Sequence, residues 1–186
     1  MMRPRYTILY HHRTQALDGQ RVHIHEIQRA LRAAGHDVIE VAPLAATEPA
    51  GTDARRSLPR RLIEKIAALT PAGVYELIEL AYNIPAYLRL SRAIRRVRPD
   101  FIYERHALNT AAGIWAARRF GIPLLLEINS PLAEEKKRHG KLVLYGVARR
   151  IERYVVRNAT RTLAVTGPLK RMLVAATGVD DRRVVV

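Results

Sequence analysis

Short apolar runs alternate along this chain with longer stretches in which apolar residues recur every three or four positions. Tyr6-Thr7-Ile8-Leu9-Tyr10 predicts a first strand, followed by a loop carrying His11, His12, Asp18 and Gly19. Val22, Ile24, Ile27, Ala30, Leu31 and Ala34 then form the apolar stripe of a helix running to about Ala34. Gly35 suits the stop, because glycine tolerates the left-handed backbone past a helix end. Val38 to Ala42 predicts a second strand, ended by Pro43. Leu44 to Leu58 reads as a mobile loop and Pro59 to Leu69 as a basic amphipathic segment. Two further helical pieces meet near Pro85, where proline removes a backbone donor. Strand Phe101–Glu104, helix Leu108–Phe120 and strand Leu124–Ile128 come next, then a basic helix from about Leu142 to Asn158, strand Thr162–Val165 and a short helix Leu169–Ala176. The terminal Val184–Val186 reads as a sixth strand with no closing helix after it, which leads us to expect a continuation of the chain.

Strands alternating with helices imply parallel strands joined by helical crossovers. With 186 residues, 48% of them hydrophobic, the chain has material for one ample core and reads as a single domain over residues 1–186. The expected fold is an α/β, Rossmann-like, three-layer domain with a mostly parallel sheet.

Charge adds a second theme. Lys and Arg number 32 against 17 Asp and Glu, a net charge of +15, which attracts anionic surfaces of any kind. Lys136, Lys137, Arg138, Lys141, Arg149, Arg150, Arg153, Arg157 and Arg161 cluster around a single acid, Glu152, and Arg149, Arg153 and Arg157 are spaced to share one helical face. Two readings stand: a solvated helix face, or a surface that docks on anionic lipid, with Pro59 to Leu69 as a second basic patch. Nucleic acid is disfavoured, since only 6% of residues are aromatic and no stacking motif accompanies the charge. Cysteine is absent, so disulfides and thiolate metal sites are excluded. No apolar run is long enough for a leader peptide or a membrane span, which points to a cytoplasmic protein, soluble or peripheral at the inner face of the membrane.

In open parallel sheets ligands bind beyond the carboxyl ends of the strands. Four clusters fall there: His11, His12, Arg13 and Gly19; Glu104, Arg105 and His106; Glu127, Asn129 and Ser130; and Thr166 with Gly167. Neither Gly-x-Gly-x-x-Gly nor Gly-x4-Gly-Lys-Ser/Thr is present, which argues against NAD enzymes and P-loop NTPases. His23 and His25 lie two apart on a helix and point to opposite sides, so they do not share a metal ion, and no metal or cofactor is implied. Glu104 and Arg105 are candidates either for a mutual surface pair or, through Arg105, for binding a phosphate.

The order of several segments carries a resemblance. Asp18-Gly19-Gln20-Arg21-Val22-His23 and Leu31-Arg32-Ala33-Ala34-Gly35-His36-Asp37-Val38 resemble the opening of family 4 glycosyltransferases, a glycine pair, a helix with a histidine one turn in, and a Gly-His-Glu-Val entry to strand two. Arg98-Pro99-Asp100-Phe101-Ile102-Tyr103, Gly121-Ile122-Pro123 and Asn158-Ala159-Thr160-Arg161-Thr162-Leu163-Ala164-Val165-Thr166 with Leu169-Lys170 resemble later strands of that family, in the same order. The resemblance implies one half of a GT-B architecture, the N-terminal, acceptor-side domain of a retaining hexosyltransferase that uses a nucleotide-sugar donor. The donor is then gripped mostly by a C-terminal domain through a Glu-x7-Glu pair. Glu127/Glu135 and Glu40/Glu48 show that spacing by coincidence, because the sequence around them is that of the N-terminal domain.

Carried onto this chain, the resemblance makes His106 and Asn129 the candidate catalytic positions, and Gly19, His23, Arg105, Glu127 and Thr166 candidates for binding substrate. His23 either touches substrate or packs against the Gly19 loop. Two positions depart from the family: Asp18 replaces its first glycine, and Asn129 stands where many members have a histidine. Asparagine bonds a hydroxyl but accepts no proton at neutral pH. In retaining enzymes of this architecture the donor phosphate is thought to take that proton, so transfer does not require the histidine. On this view the 186 residues alone are inactive. The competing reading is a non-catalytic, stand-alone module that binds an anionic membrane surface or a partner protein.

Overall fold

A computed structural model describes residues 4–13, 19–41, 72–140 and 142–186. The predicted loop Leu44–Leu58, the amphipathic segment Pro59–Leu69, Asp18 and Lys141 lie outside the described residues. Six strands form one sheet: β1 (Thr7–His11), β2 (Asp37–Val41), β3 (Phe101–Arg105), β4 (Leu124–Ile128), β5 (Arg161–Ala164) and β6 (Val184–Val185). Their order is β2-β1-β3-β4-β5-β6 and every pairing is parallel. The fold is α/β and Rossmann-like, as expected. The chain leaves β1 in one direction and returns to the other side of it at β3, so the topological switch point lies between these two strands.

Alternation along the strands divides the core. Ile8, Tyr10 and Tyr103 point to one face, where α1 (Gly19–Ala33) covers them with Ile24, Ile27 and Leu31. Leu9, Ile102, Leu124, Leu126 and Ile128 point to the other and meet α3 (Asn83–Val97), α4 (Ala112–Phe120), α6 (Tyr145–Asn158) and α7 (Gly167–Thr177). Each fully buried leucine or isoleucine contributes about 1.5–3 kcal/mol by leaving water. After α1, Gly35 takes the predicted left-handed turn at φ +92°.

The excursion between β2 and β3 differs from expectation. α2 (Ala72–Ala81) and α3 join at Tyr82, three residues before Pro85. Pro85 sits in the first turn of α3, where a missing N–H costs no intrahelical bond. Asn83 makes the corner. Its amide donates to the carbonyls of Leu80 (2.9 Å) and Asn109 (2.7 Å), and its Oδ1 accepts from the backbone N–H of Ala111 (2.7 Å) and Ala112 (3.1 Å). One asparagine therefore ties the helix joint to the start of α4. The predicted helix from Leu108 begins four residues later because Asn109 adopts the left-handed backbone at φ +58°. A short helix unforeseen from the pattern, α5 (Leu132–Arg138), follows β4.

Candidate functional site

The carboxyl ends of β2, β3 and β4 each supply one glutamate, and each glutamate meets a histidine. Strand parity decides which face each pair occupies.

On the α1 face, Glu127 at the end of β4 is the centre. Its carboxylate accepts from Tyr103 Oη at 3.0 Å and Arg105 Nη1 at 3.2 Å, and lies 2.8 Å from His23 Nε2. Tyr103 and Arg105 reach it together because residues two apart on a strand share a face. Tyr10 stacks on Tyr103 with ring centroids 5.0 Å apart and nearly parallel planes. Burial, and after it the negative charge of Glu127, pushes the Tyr103 and Tyr10 phenols above their usual range, so both stay protonated, Tyr103 as a donor to Glu127 and Tyr10 without a hydrogen-bond partner. Glu127 is only 4% exposed, whereas the His23 side chain is 44% exposed. A carboxylate only accepts, so the Nε2 facing it carries the proton and the Nδ1 of a neutral ring is left as an acceptor.

Next to it, Glu40 of β2 lies 3.0 Å from His12 Nε2 and accepts from Gln28 of α1 at 2.9 Å. The His12 hydrogen bond, aided by the one from Gln28, holds the Glu40 carboxyl down at about 2 against the opposing effect of burial. On the opposite face, at the switch point, His11 Nδ1 lies 3.1 Å from Glu104 Oε1, with both side chains buried. The Glu104 carboxylate rests on the first turn of α4 at Gly113, where a β-carbon would stand 1.7 Å from Oε2. Glycine is what lets the carboxylate occupy that place.

Arg13, past the end of β1, closes the rim of the sheet. It donates to Thr110 Oγ1 (3.0 Å) and the Leu108 carbonyl (3.2 Å), approaches Glu79 of α2 (3.9 Å) and lies over the Tyr82 ring.

The structure brings together three of the sequence candidates, His23, Arg105 and Glu127. Glu104 and Arg105 do not pair with each other: as neighbours on a strand they point to opposite faces and find His11 and Glu127 respectively. His106 turns its ring inward, with its side chain 3% exposed and Nε2 3.8 Å from Glu152 Oε1 of α6. Burial lowers the His106 pKa to about 4 and raises that of Glu152 to about 7, so in mildly acidic solution the two meet as neutral groups rather than as an ion pair. Both atoms are buried without a hydrogen-bond partner. Asn129 Oδ1 is likewise buried and unpartnered. Thr166 caps α7, accepting from the Leu169 N–H at 3.3 Å, and Gly19 is the first residue of α1. Among the described residues no side-chain hydrogen bond joins His106, Asn129 or Thr166 to the Glu127 cluster.

Sequence reasoning passed over Tyr103, Glu40, Gln28 and Gly113. The strand alternation that placed Arg105 also places Tyr103 beside it, and Glu40 is the one charged residue of the predicted strand Val38 to Ala42. Gly113 left no such signal, because its role depends on a carboxylate nine residues earlier in sequence. Among the described residues no group of histidines and acids has the arrangement of a metal site.

An open parallel sheet with polar groups gathered at the carboxyl ends beside the switch point is the arrangement in which α/β proteins generally take their ligands. The chain belongs to Glycosyltransferase Family 4, whose model matches residues 17–186. Solved structures share the fold at low identity. A glycosyltransferase from Rickettsia africae is 15% identical with a TM-score of 0.51, covering 98% of this chain. HepE from Anabaena, solved in complex with UDP-glucose, is 13% identical with a TM-score of 0.52, covering 96% of this chain. In both comparisons the present chain spans 42% of the neighbour's length. No protein of curated function matches the sequence.

Proposed function

We propose that this chain is the N-terminal, acceptor-side domain of a retaining glycosyltransferase. The enzyme moves a hexosyl group from a nucleotide-sugar donor to an acceptor hydroxyl, in a cleft completed by a C-terminal domain that holds most of the donor. The observation that carries the reading is the Glu127 cluster. A buried carboxylate at the carboxyl edge of the sheet fixes one imidazole, one guanidinium and one phenol, and leaves the imidazole half open. His23 Nδ1 then accepts from an acceptor hydroxyl, while Arg105 answers a phosphate or carboxylate on the acceptor. Asn129, with its unpartnered Oδ1, is a second polar group for hydroxyls, and Gly19 at the start of α1 allows close approach of donor phosphate to a helix N-terminus. No step requires a metal on this reading.

The test is transfer by the full-length protein supplied with labelled UDP-hexoses, UDP-glucose first because the Anabaena neighbour holds it, and with lipid and saccharide acceptors. The expected product keeps the donor's anomeric configuration by nuclear magnetic resonance. Inversion would overturn the retaining assignment, and absence of any transfer would overturn the enzyme. Turnover by the 186 residues alone would remove the division of labour between domains.

A further inference from the structure

Helix α2 is built inside out. Its acids point inward: Glu76 is 4% exposed and accepts from the backbone N–H groups of Val143 (2.7 Å) and Leu144 (2.6 Å) ahead of α6. Glu79 accepts from Asn109 (3.1 Å) and faces Arg13 at 3.9 Å. With its polar side chains spent on pinning the helix to three loops, α2 turns its apolar ones outward. Leu77 and Ile78 are 56% and 54% exposed, and Val74 and Tyr75 nearly as much. Helix α3 continues the surface. Ile84, Leu88, Arg92 and Arg95 fall at i, i+4, i+8 and i+11 on one exposed stripe, apolar next to α2 and cationic beyond it. Arg92, Arg95 and Arg96 have no carboxylate partner among the described residues.

We propose that this face docks on an anionic lipid surface, with the apolar side chains of α2 and early α3 entering the headgroup boundary and the arginines of late α3 on the headgroups. Contiguous exposed apolar surface with a cationic margin is the pattern of an interfacial contact. No helix among the described residues is long and apolar enough to cross a membrane; the contact proposed is one in the plane of the interface. A second copy of the chain fits less well. A two-fold contact through the apolar patch leaves the arginines of late α3 with no carboxylate to meet, because the nearby acids, Glu76 and Glu79, are turned inward and occupied. The basic stripe on α6 is not this surface: Arg157 donates to the Thr177 carbonyl (2.6 Å) and Arg153 to the Ala176 carbonyl (3.2 Å) at the end of α7, and Arg149 faces Glu134 at 3.7 Å. The proposal goes beyond the reading above and is independent of the transfer chemistry.

The experiment is co-sedimentation of the chain with vesicles of phosphatidylcholine alone and of phosphatidylcholine mixed with phosphatidylglycerol, at several salt concentrations. Binding is expected to favour the anionic vesicles by roughly tenfold and to weaken with salt. Leu77→Gln with Ile78→Gln lowers it by about tenfold, and Arg92→Gln, Arg95→Gln and Arg96→Gln together lower it as far and flatten the salt dependence. Val22→Gln, an exposed apolar residue of α1, and Arg150→Gln leave it unchanged. All substitutions are at exposed positions, and circular dichroism checks that each variant is folded. Failure to sediment, equal binding to both vesicles, or binding by the Leu77/Ile78 variant at the level of the parent would overturn the proposal. A dimer in gel filtration that this variant dissociates would overturn it in favour of a second copy. Sugar transfer is not read, so failure of the transferase reading leaves the result standing.

Discussion

His23 Nε2 in the first helix lies 2.8 Å from Glu127 Oε1 at the end of the fourth strand, 104 residues later in the chain. That contact joins the two ends of the candidate site across β1 and β3, and it fixes which imidazole nitrogen faces outward. Because Tyr103 and Arg105 use the same carboxylate, Glu127 orients three groups at once.

Replacing Glu127 by alanine leaves Arg105, which is 12% exposed, without its acid and frees His23 to rotate. Breaking a buried charged cluster from one side costs about 3–5 kcal/mol, because the remaining charge stays desolvated. Urea denaturation reads the loss. His23→Gln, by contrast, removes a half-exposed partner and costs under about 1 kcal/mol, yet in the full-length enzyme it lowers transfer. A His23 variant with the parent's transfer rate would show that the open nitrogen does not meet the acceptor.

Gly113→Ala places a methyl group where Glu104 Oε2 stands 1.7 Å away, so the carboxylate must leave its place between His11 and α4. An overpacked buried site of this kind loses about 1–3 kcal/mol. Gly146, in the first turn of α6, has nothing within 4 Å of a β-carbon, and alanine there gains up to about 1 kcal/mol from helix propensity. Thermal unfolding of the two variants side by side checks the contrast. If both move in the same direction, the carboxylate does not depend on the missing β-carbon.

Asn83 satisfies two backbone carbonyls and two backbone N–H groups with one buried side chain. Asn83→Ala strands several of them at once, and buried unpaired polar groups cost about 1–3 kcal/mol each where water does not enter. The expected loss is about 3 kcal/mol, with α4 released first, which hydrogen exchange at Ala111 and Ala112 would read. Protection equal to the parent's at those two amides would refute the role of the corner.

What the pattern of residues revealed depended on range. The strands of the sheet were legible because alternation is local, and Arg105, Glu127 and His23 were found because they sit at strand ends or one turn into the first helix. Asn83, Glu76 and Gly113 act on backbone or carboxylate groups brought close only by the fold, and no periodicity announces such a pairing. α5 escaped for another reason. It is seven residues long and mostly charged, with Ala133 alone buried, and a bond from Ser130 to Glu135 at 2.9 Å supports its first turn. The orientation of α2 is set by its two glutamates, which face in and find partners in distant loops.

His106 and Glu152 set opposite pH dependences that one substitution separates. Burial lowers the His106 pKa from its ordinary 6.5 to about 4, so between those values the unfolded chain binds the extra proton and stability falls as pH falls. Burial raises Glu152 from 4.5 to about 7, so between those values the folded chain binds the extra proton and stability falls as pH rises. The two slopes oppose each other from about pH 4.5 to 6.5, so the contributions of this pair nearly cancel there. Glu152→Gln keeps a neutral side chain of the same size and removes only the second slope. Its stability should therefore gain on the parent steadily from pH 4.5 to 7, by about 3 kcal/mol in all, and keep that margin above pH 7. Urea titrations at half-unit pH steps measure it. A margin that stays constant across this range would mean that Glu152 is not buried as a neutral acid beside His106.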